Sequence, residues 1–248
     1  MSSAYLLVSH GSRDPRPEVA MQELARLVCE KLEKNHNQAN SEHLVGIAAL
    51  EMSQKPLHQQ IKEFAKTAFG VDNVSENRNQ LKILPLFLLP GVHVMTDIPG
   101  EVALAQEAIG EDMTIELQPY LGSHPDLKKL LFKQVAKIEA QAWILLSHGS
   151  RRPDSQKPVE ATAASLGAVV AYWSVPGSLE LRVKELVAAG YREIAILPYF
   201  LFAGGITDAI AASIEKLKLQ FSAVNFHLAE PLGASAELAD LIWDLINK

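Results

Sequence analysis

Three side chains hold most of the chemistry that this sequence offers. His10 follows an apolar run, AYLLVS at 4–9, His93 lies just past a second, ILPLFLL at 83–89, and Glu51 ends a third, LVGIAAL at 44–50. Imidazole changes charge nearest to neutral pH, and its neutral form binds divalent iron, cobalt, nickel or zinc. Two histidines and one carboxylate fall short of the closed set of about four ligands that a structural metal keeps. The set therefore describes an open, weak site, suited to an ion in transit, or a group of proton acceptors. Around it stand Gly11, which allows close backbone approach, Ser12, which can donate or cap, and Arg13, Arg16, Arg151 and Arg152, whose guanidinium groups can hold an anion bidentately.

These residues need a frame that brings distant segments together. Continuous apolar runs at 4–9, 44–50 and 83–89 read as strands buried on both faces of a parallel sheet. Between them the spacing predicts helices to about Lys34 and over Leu57–Phe69. A helix over 101–109 follows, with Asp97 as its N-cap, then a strand at 114–118 and a helix over about 125–140. Strand and helix alternate, so the fold class is α/β, a parallel sheet with helices on both faces. Side chains at the carboxyl ends of such strands line the place where these sheets bind ligands.

The chain then repeats itself. AYLLVSHGSRDP at 4–15 returns without a gap as AWILLSHGSRRP at 142–153, LKILPLFLLPG at 81–91 is echoed by IAILPYFLFAGG at 194–205, and Pro119-Tyr120-Leu121-Gly122 by Pro231-Leu232-Gly233. So long a period marks a duplicated domain, not a solenoid. We divide the chain into residues 1–139 and 140–248 and expect two similar lobes facing each other across a cleft. The copies differ in one telling way. Where the first has Gly91-Val92-His93, the second has Gly204-Gly205-Ile206, so its one strand-end histidine is His148. We expect one competent half and one degenerate half. His36, His43, His58, His124 and His227 are read as structural or exposed.

Composition excludes other classes. A net charge of −6 over 248 residues argues against a general nucleic-acid binder. One cysteine, Cys29, rules out an intrachain disulfide and any multi-cysteine zinc or iron–sulfur motif. No stretch approaches the length of a membrane span and no leader pattern opens the chain, so we expect no membrane association and a cytoplasmic location. Phosphate-binding glycine motifs and a G-x-S-x-G elbow are absent from the sequence.

The Ser9-His10-Gly11-Ser12-Arg13 string, with Pro85, Phe87, Leu88, Gly91, His93, Asp97, Ile98 and Pro99 in a P-x-F-L…G-x-H…D-I-P pattern, resembles the sirohydrochlorin chelatases. These are the class II metal-inserting chelatases of siroheme and cobalamin biosynthesis. The resemblance spans both halves and is to the long form of the family, a fused duplication of a short form that works as a homodimer. It implies two chelatase-like domains and insertion of Fe2+ or Co2+ into sirohydrochlorin, a polycarboxylated tetrapyrrole, without ATP. By the same resemblance His10 and His93 match the two active-site histidines and Glu51 their acidic partner. No tightly bound cofactor is expected; the divalent metal, Fe2+, Co2+ or Ni2+, is a substrate. The implied contacts to the tetrapyrrole are Ser12, Arg13, Arg16 and Arg151 for its carboxylates, with Leu89, Gly91 and Val92 along the macrocycle. Expected partners are the tetrapyrrole and the metal alone, with the chain a monomer acting as an internal pseudo-dimer. The alternative is a tetrapyrrole or metal carrier without catalysis.

Overall fold

Strand β1, Ser3–Ser9, buries its five central residues and so must be covered on both faces. In the computed structural model, which describes residues 3–35, 44–70, 79–110, 113–149 and 156–247, β1 lies between β2, Leu44–Ala49, and β3, Asn79–Pro85, and β4, Met113–Leu117, extends the sheet beyond β3. All pairings are parallel and the order is β2-β1-β3-β4. The helices are α1, Arg16–Asn35, α2, Leu57–Phe69, and α3, Ile98–Ile109. Leu57, Ile61, Ala65 and Phe69 of α2 pack with Leu6, Val8, Leu81 and Ile83 of the sheet in one apolar core. Each leucine, isoleucine, valine or phenylalanine side chain among them contributes about 1.5–3 kcal/mol by leaving water.

The second half repeats the plan. Helix α4, Leu127–Val135, precedes β5, Ala142–Ser147. There follow α5, Lys157–Ser165, β6, Ala168–Tyr172, α6, Ser178–Ala188, β7, Glu193–Tyr199, α7, Gly205–Gln220, and β8, Asn225–Leu228. Its sheet is again parallel, in the order β6-β5-β7-β8. Helix α8, Ala236–Ile246, closes the chain.

The compact units do not follow the sequence boundary at 139/140. One comprises Met1–Leu127 with Ala234–Lys248, the other Lys128–Gly233. Helix α8 thus belongs with the first sheet although it ends the second repeat. Leu238, Leu241, Ile242, Leu245 and Ile246 are buried there, Lys31 pairs with Asp240, and Lys82 Nζ donates to the Ile246 carbonyl at 2.6 Å. That last contact places a cation at a helix C-terminus, where the dipole favours it.

Two further boundaries move. The apolar run at 83–89 is not all strand: β3 ends at Pro85, which pairs with Val8. Leu86 N still donates to Val8 O, but the next carbonyl used, on Phe87, accepts from Gly122 N at 2.8 Å, so the chain leaves the ladder. Glycine is required at 122, since a Cβ there would lie 2.0 Å from Leu88 O. Asp97 is not an N-cap. It has helical dihedrals and no capping bond, because helical backbone already begins upstream, with a π turn over His93–Asp97. Among the described residues no helix is long and apolar enough to cross a membrane.

Candidate metal centre

In the order β2-β1-β3-β4 the chain leaves β1 toward one edge and β3 toward the other, so the switch of direction falls between these two strands. Crevices at such points, outside the strands' carboxyl ends, are where open α/β sheets bind ligands. His10 directly follows β1 and the loop after β3 leads to His93. Their ring centroids lie 4.9 Å apart at an interplanar angle of 82°.

Glu51 is brought in by backbone geometry. The β1–β2 ladder runs past the strand ends: Leu50 N donates to Ser9 O at 2.9 Å and Glu51 N to His10 O at 2.8 Å. This approach needs Gly11, whose φ is +94° and whose missing Cβ would lie 2.0 Å from Glu51 O. Gln60 of α2 pins the same loop, its Oε1 accepting from Ala49 N and its Nε2 donating to Ala49 O and Lys55 O. Immediately beyond Glu51, Met52 adopts φ +59°, the one non-glycine residue with positive φ among those described. Strained backbone of this kind persists where surrounding contacts hold it. The Glu51 carboxylate ends 3.7 Å from His10 Nε2.

His10, Glu51 and His93 each present a ligand atom within 4.8 Å of the other two, and none of the three is buried. The two histidines are supported differently. His93 Nδ1 lies 2.7 Å from Asp97 Oδ2, one helical turn on, and Phe87 lies beside its ring at 6.1 Å. Among the described residues His10 Nδ1 has only the carbonyl of Gly11, at 3.3 Å.

The residues expected to hold a tetrapyrrole separate into groups. Arg13 is exposed and has no hydrogen bond or ion pair among the described residues. Arg16 is engaged by Asp14: its backbone N and Nε each donate to Oδ1 at 3.0 Å and its Nη2 to Oδ2 at 2.5 Å. The guanidinium hydrogen bonds hold the Asp14 carboxyl down at about 2. A grip by Arg16 must therefore displace or share Asp14. Ser12 Oγ accepts from Asp14 N at 3.0 Å, ordering the same turn. Leu89, Gly91 and Val92 lead into the π turn; Val92 is exposed, and a Cβ at Gly91 would meet nothing within 4 Å, so no crowding demands glycine there. Arg151 and Arg152 lie outside the described residues, as do His36 and His43.

The other described histidines have separate surroundings. His58 takes Glu101, His227 takes Glu193, and buried His124 accepts from Asp126 N and faces Asp244. Cys29 is partly buried, and burial with Glu33 and Glu30 nearby raises its pKa, the state of an inert thiol. Sequence reasoning gave Asp97 the role of a helix cap and gave Gln60 none. Asp97 was detectable, for an acid four residues after a histidine in a helical stretch shares its face.

The CbiX family profile matches residues 4–138 and again 142–248. The chain is 23% identical over 254 residues to the sirohydrochlorin cobaltochelatase of Priestia megaterium, covering 96% of this chain and 76% of that one. It is 27% identical over 136 residues to the sirohydrochlorin cobaltochelatase of Methanosarcina acetivorans, covering 52% of this chain and 92% of that one. The structure of SirB from Bacillus subtilis with Fe3+ superposes with a TM-score of 0.72 at 21% identity, covering 100% of this chain and 95% of the other.

Proposed function

The chain belongs to the CbiX family, and from that premise we propose that it is a sirohydrochlorin chelatase, inserting Fe2+ or Co2+ into the tetrapyrrole. One observation carries this reading to the level of residues: His10, Glu51 and His93 converge to within 4.8 Å at the switch point of the first sheet, open to solvent.

Insertion exchanges one ion for two protons. Two pyrrole N–H bonds break, two ring nitrogens gain the metal, and the ion gives up protein or water ligands as it enters. Three exposed ligand groups suit that exchange better than a closed cage, which would hold the ion in the ground state without a matching gain in the transition state. We assign His10 and His93 as metal ligands. Once the ion has left it, His10 accepts one of the two protons released and Glu51, 3.7 Å away, the other, since a neutral imidazole and a carboxylate each have a lone pair to take one. The metal is substrate, not resident cofactor. Arg13 is assigned to a peripheral carboxylate of the tetrapyrrole, with Arg16 in a lesser role behind Asp14. Leu89 and Val92 are assigned to the macrocycle edge. One chain is taken as the working unit, because it carries both copies of the family profile.

The test is an absorbance assay of the purified chain with sirohydrochlorin and Fe2+, Co2+ or Ni2+. The metallated product should form well above the rate without protein. Tight tetrapyrrole or metal binding with no change in that rate would make the chain a carrier and end the proposal.

A further inference from the structure

The two histidines of the centre are not equivalent, and their second nitrogens show why. His93 Nδ1 meets the Asp97 carboxylate at 2.7 Å, whereas among the described residues His10 Nδ1 has only its neighbour's carbonyl, a neutral acceptor at the longer distance of 3.3 Å. A carboxylate accepts but does not donate, so a neutral His93 must carry its proton on Nδ1 when this bond is made. That leaves the Nε2 lone pair, the ligating electrons, free. An isolated imidazole prefers the opposite tautomer, with Nε2 protonated and blocked.

The second repeat bears on the pair independently. The gap-free alignment that sets Gly91 against Gly204 sets His93 against Ile206; across the π turn the register moves by one, so that Ile98, Val102 and Ala105 of α3 fall with Ile210, Ile214 and Leu217 of α7 in the two cores, and Asp97 falls with Ala209. Neither polar residue has a polar counterpart, for Ile206 and Ala209 stand in their places. The helix geometry changes with them: a π turn spans His93–Asp97, while α7 begins at Gly205 as an ordinary α-helix. Single π turns concentrate at functional sites.

We propose that Asp97 is a positioning residue for the metal centre, acting through Nδ1 of His93 to hold the tautomer whose Nε2 faces the ion and so making His93 the anchoring ligand and His10 the exchangeable one. The proposal rests on the reading of His10, Glu51 and His93 as the metal site. Outer carboxylates of this kind orient a ligating imidazole and raise its basicity.

The experiment titrates the full-length chain with cobalt(II) chloride alone and records the ring 15N pattern of His93 in the metal-free protein. Asp97→Ala should bind cobalt about 10–100-fold more weakly, and His93 should move from the Nδ1–H toward the Nε2–H pattern. Asp97→Asn keeps an acceptor oxygen, so it should keep the Nδ1–H pattern and an intermediate affinity. Asp97→Leu, close in shape, replaces the alanine variant should that one fail to fold. Cobalt affinity in the acceptor-less variant within about twofold of the unaltered chain, well under 1 kcal/mol, overturns the proposal. So does weaker binding with the tautomer unchanged. His93→Ala binding cobalt as tightly as the unaltered chain would instead defeat the metal-site reading on which it rests.

Discussion

In the first repeat the loop after β2 carries Glu51 and the turn after β3 carries His93. In the second, Ser174 and Ile206 stand in those places beside His148. The backbone beneath them is nearly the same. Leu50 N to Ser9 O and Glu51 N to His10 O, at 2.9 and 2.8 Å, have counterparts in Trp173 N to Ser147 O and Ser174 N to His148 O, both at 2.8 Å. Gly11 and Gly149 both take positive φ, +94° and +90°. The scaffold that delivers a side chain to the strand end has been kept in both copies, and the His10–Glu51–His93 set in one. The framework and the chemistry it presents are thus separable.

The largest expected effect tests that asymmetry. His93→Ala should lower metal insertion by about 10²-fold or more, while His148→Ala should leave most of it; equal losses in a sirohydrochlorin assay would remove the distinction between the copies. Next is the glycine pair. A Cβ at Gly11 meets the backbone oxygen of Glu51 at 2.0 Å, whereas one at Gly149 meets the Ser174 hydroxyl at 2.6 Å, and a side chain can rotate aside. Both alanine variants carry the strain of positive φ, about 1–3 kcal/mol. Gly11→Ala alone should also displace Glu51 and weaken cobalt binding about tenfold or more, which titration and thermal melts together would separate.

A graft sharpens the comparison from the other side. Ser174→Glu with Ile206→His rebuilds the His–Glu–His set around His148 without the supporting acid, since Ala209 stands where the first repeat has Asp97. Cobalt stoichiometry should rise from one toward two per chain, the added site about 10–100-fold weaker for want of the supporting carboxylate. The smallest effect is expected at Met52. Met52→Gly relieves a left-handed residue, about 1 kcal/mol, partly offset by glycine's freedom in the unfolded chain. Its melting temperature should hold or rise slightly, and that of Val175→Gly, which has no such strain to relieve, should fall.

Much of this could be read from residue order. The duplication, the alternation of strands and helices, the bounds of Leu57–Phe69 and the exit of His10 and Glu51 from strand ends all follow from apolar periodicity and motif spacing, and the structure has them. What escaped depends on partners that local pattern does not name. The repeat sets the division at 139/140, as the two family-profile matches also do, but it does not show that α8 packs with the first sheet. The run at 83–89 looks like strand throughout, yet Phe87 bonds to Gly122 because a glycine far along the chain permits it. Gln60 and Met52 matter through a loop held by tertiary hydrogen bonds. Asp97 read as a cap because the π turn upstream has no signature in a pattern of period 3.6.

The central claim is that one repeat holds the metal and the other does not. Anomalous diffraction at the cobalt edge, from crystals of the unaltered chain soaked in cobalt(II), measures this directly. The expected result is one strong peak coordinated by His10, Glu51 and Nε2 of His93. A peak at His148 of equal strength, or none among the three, would contradict it.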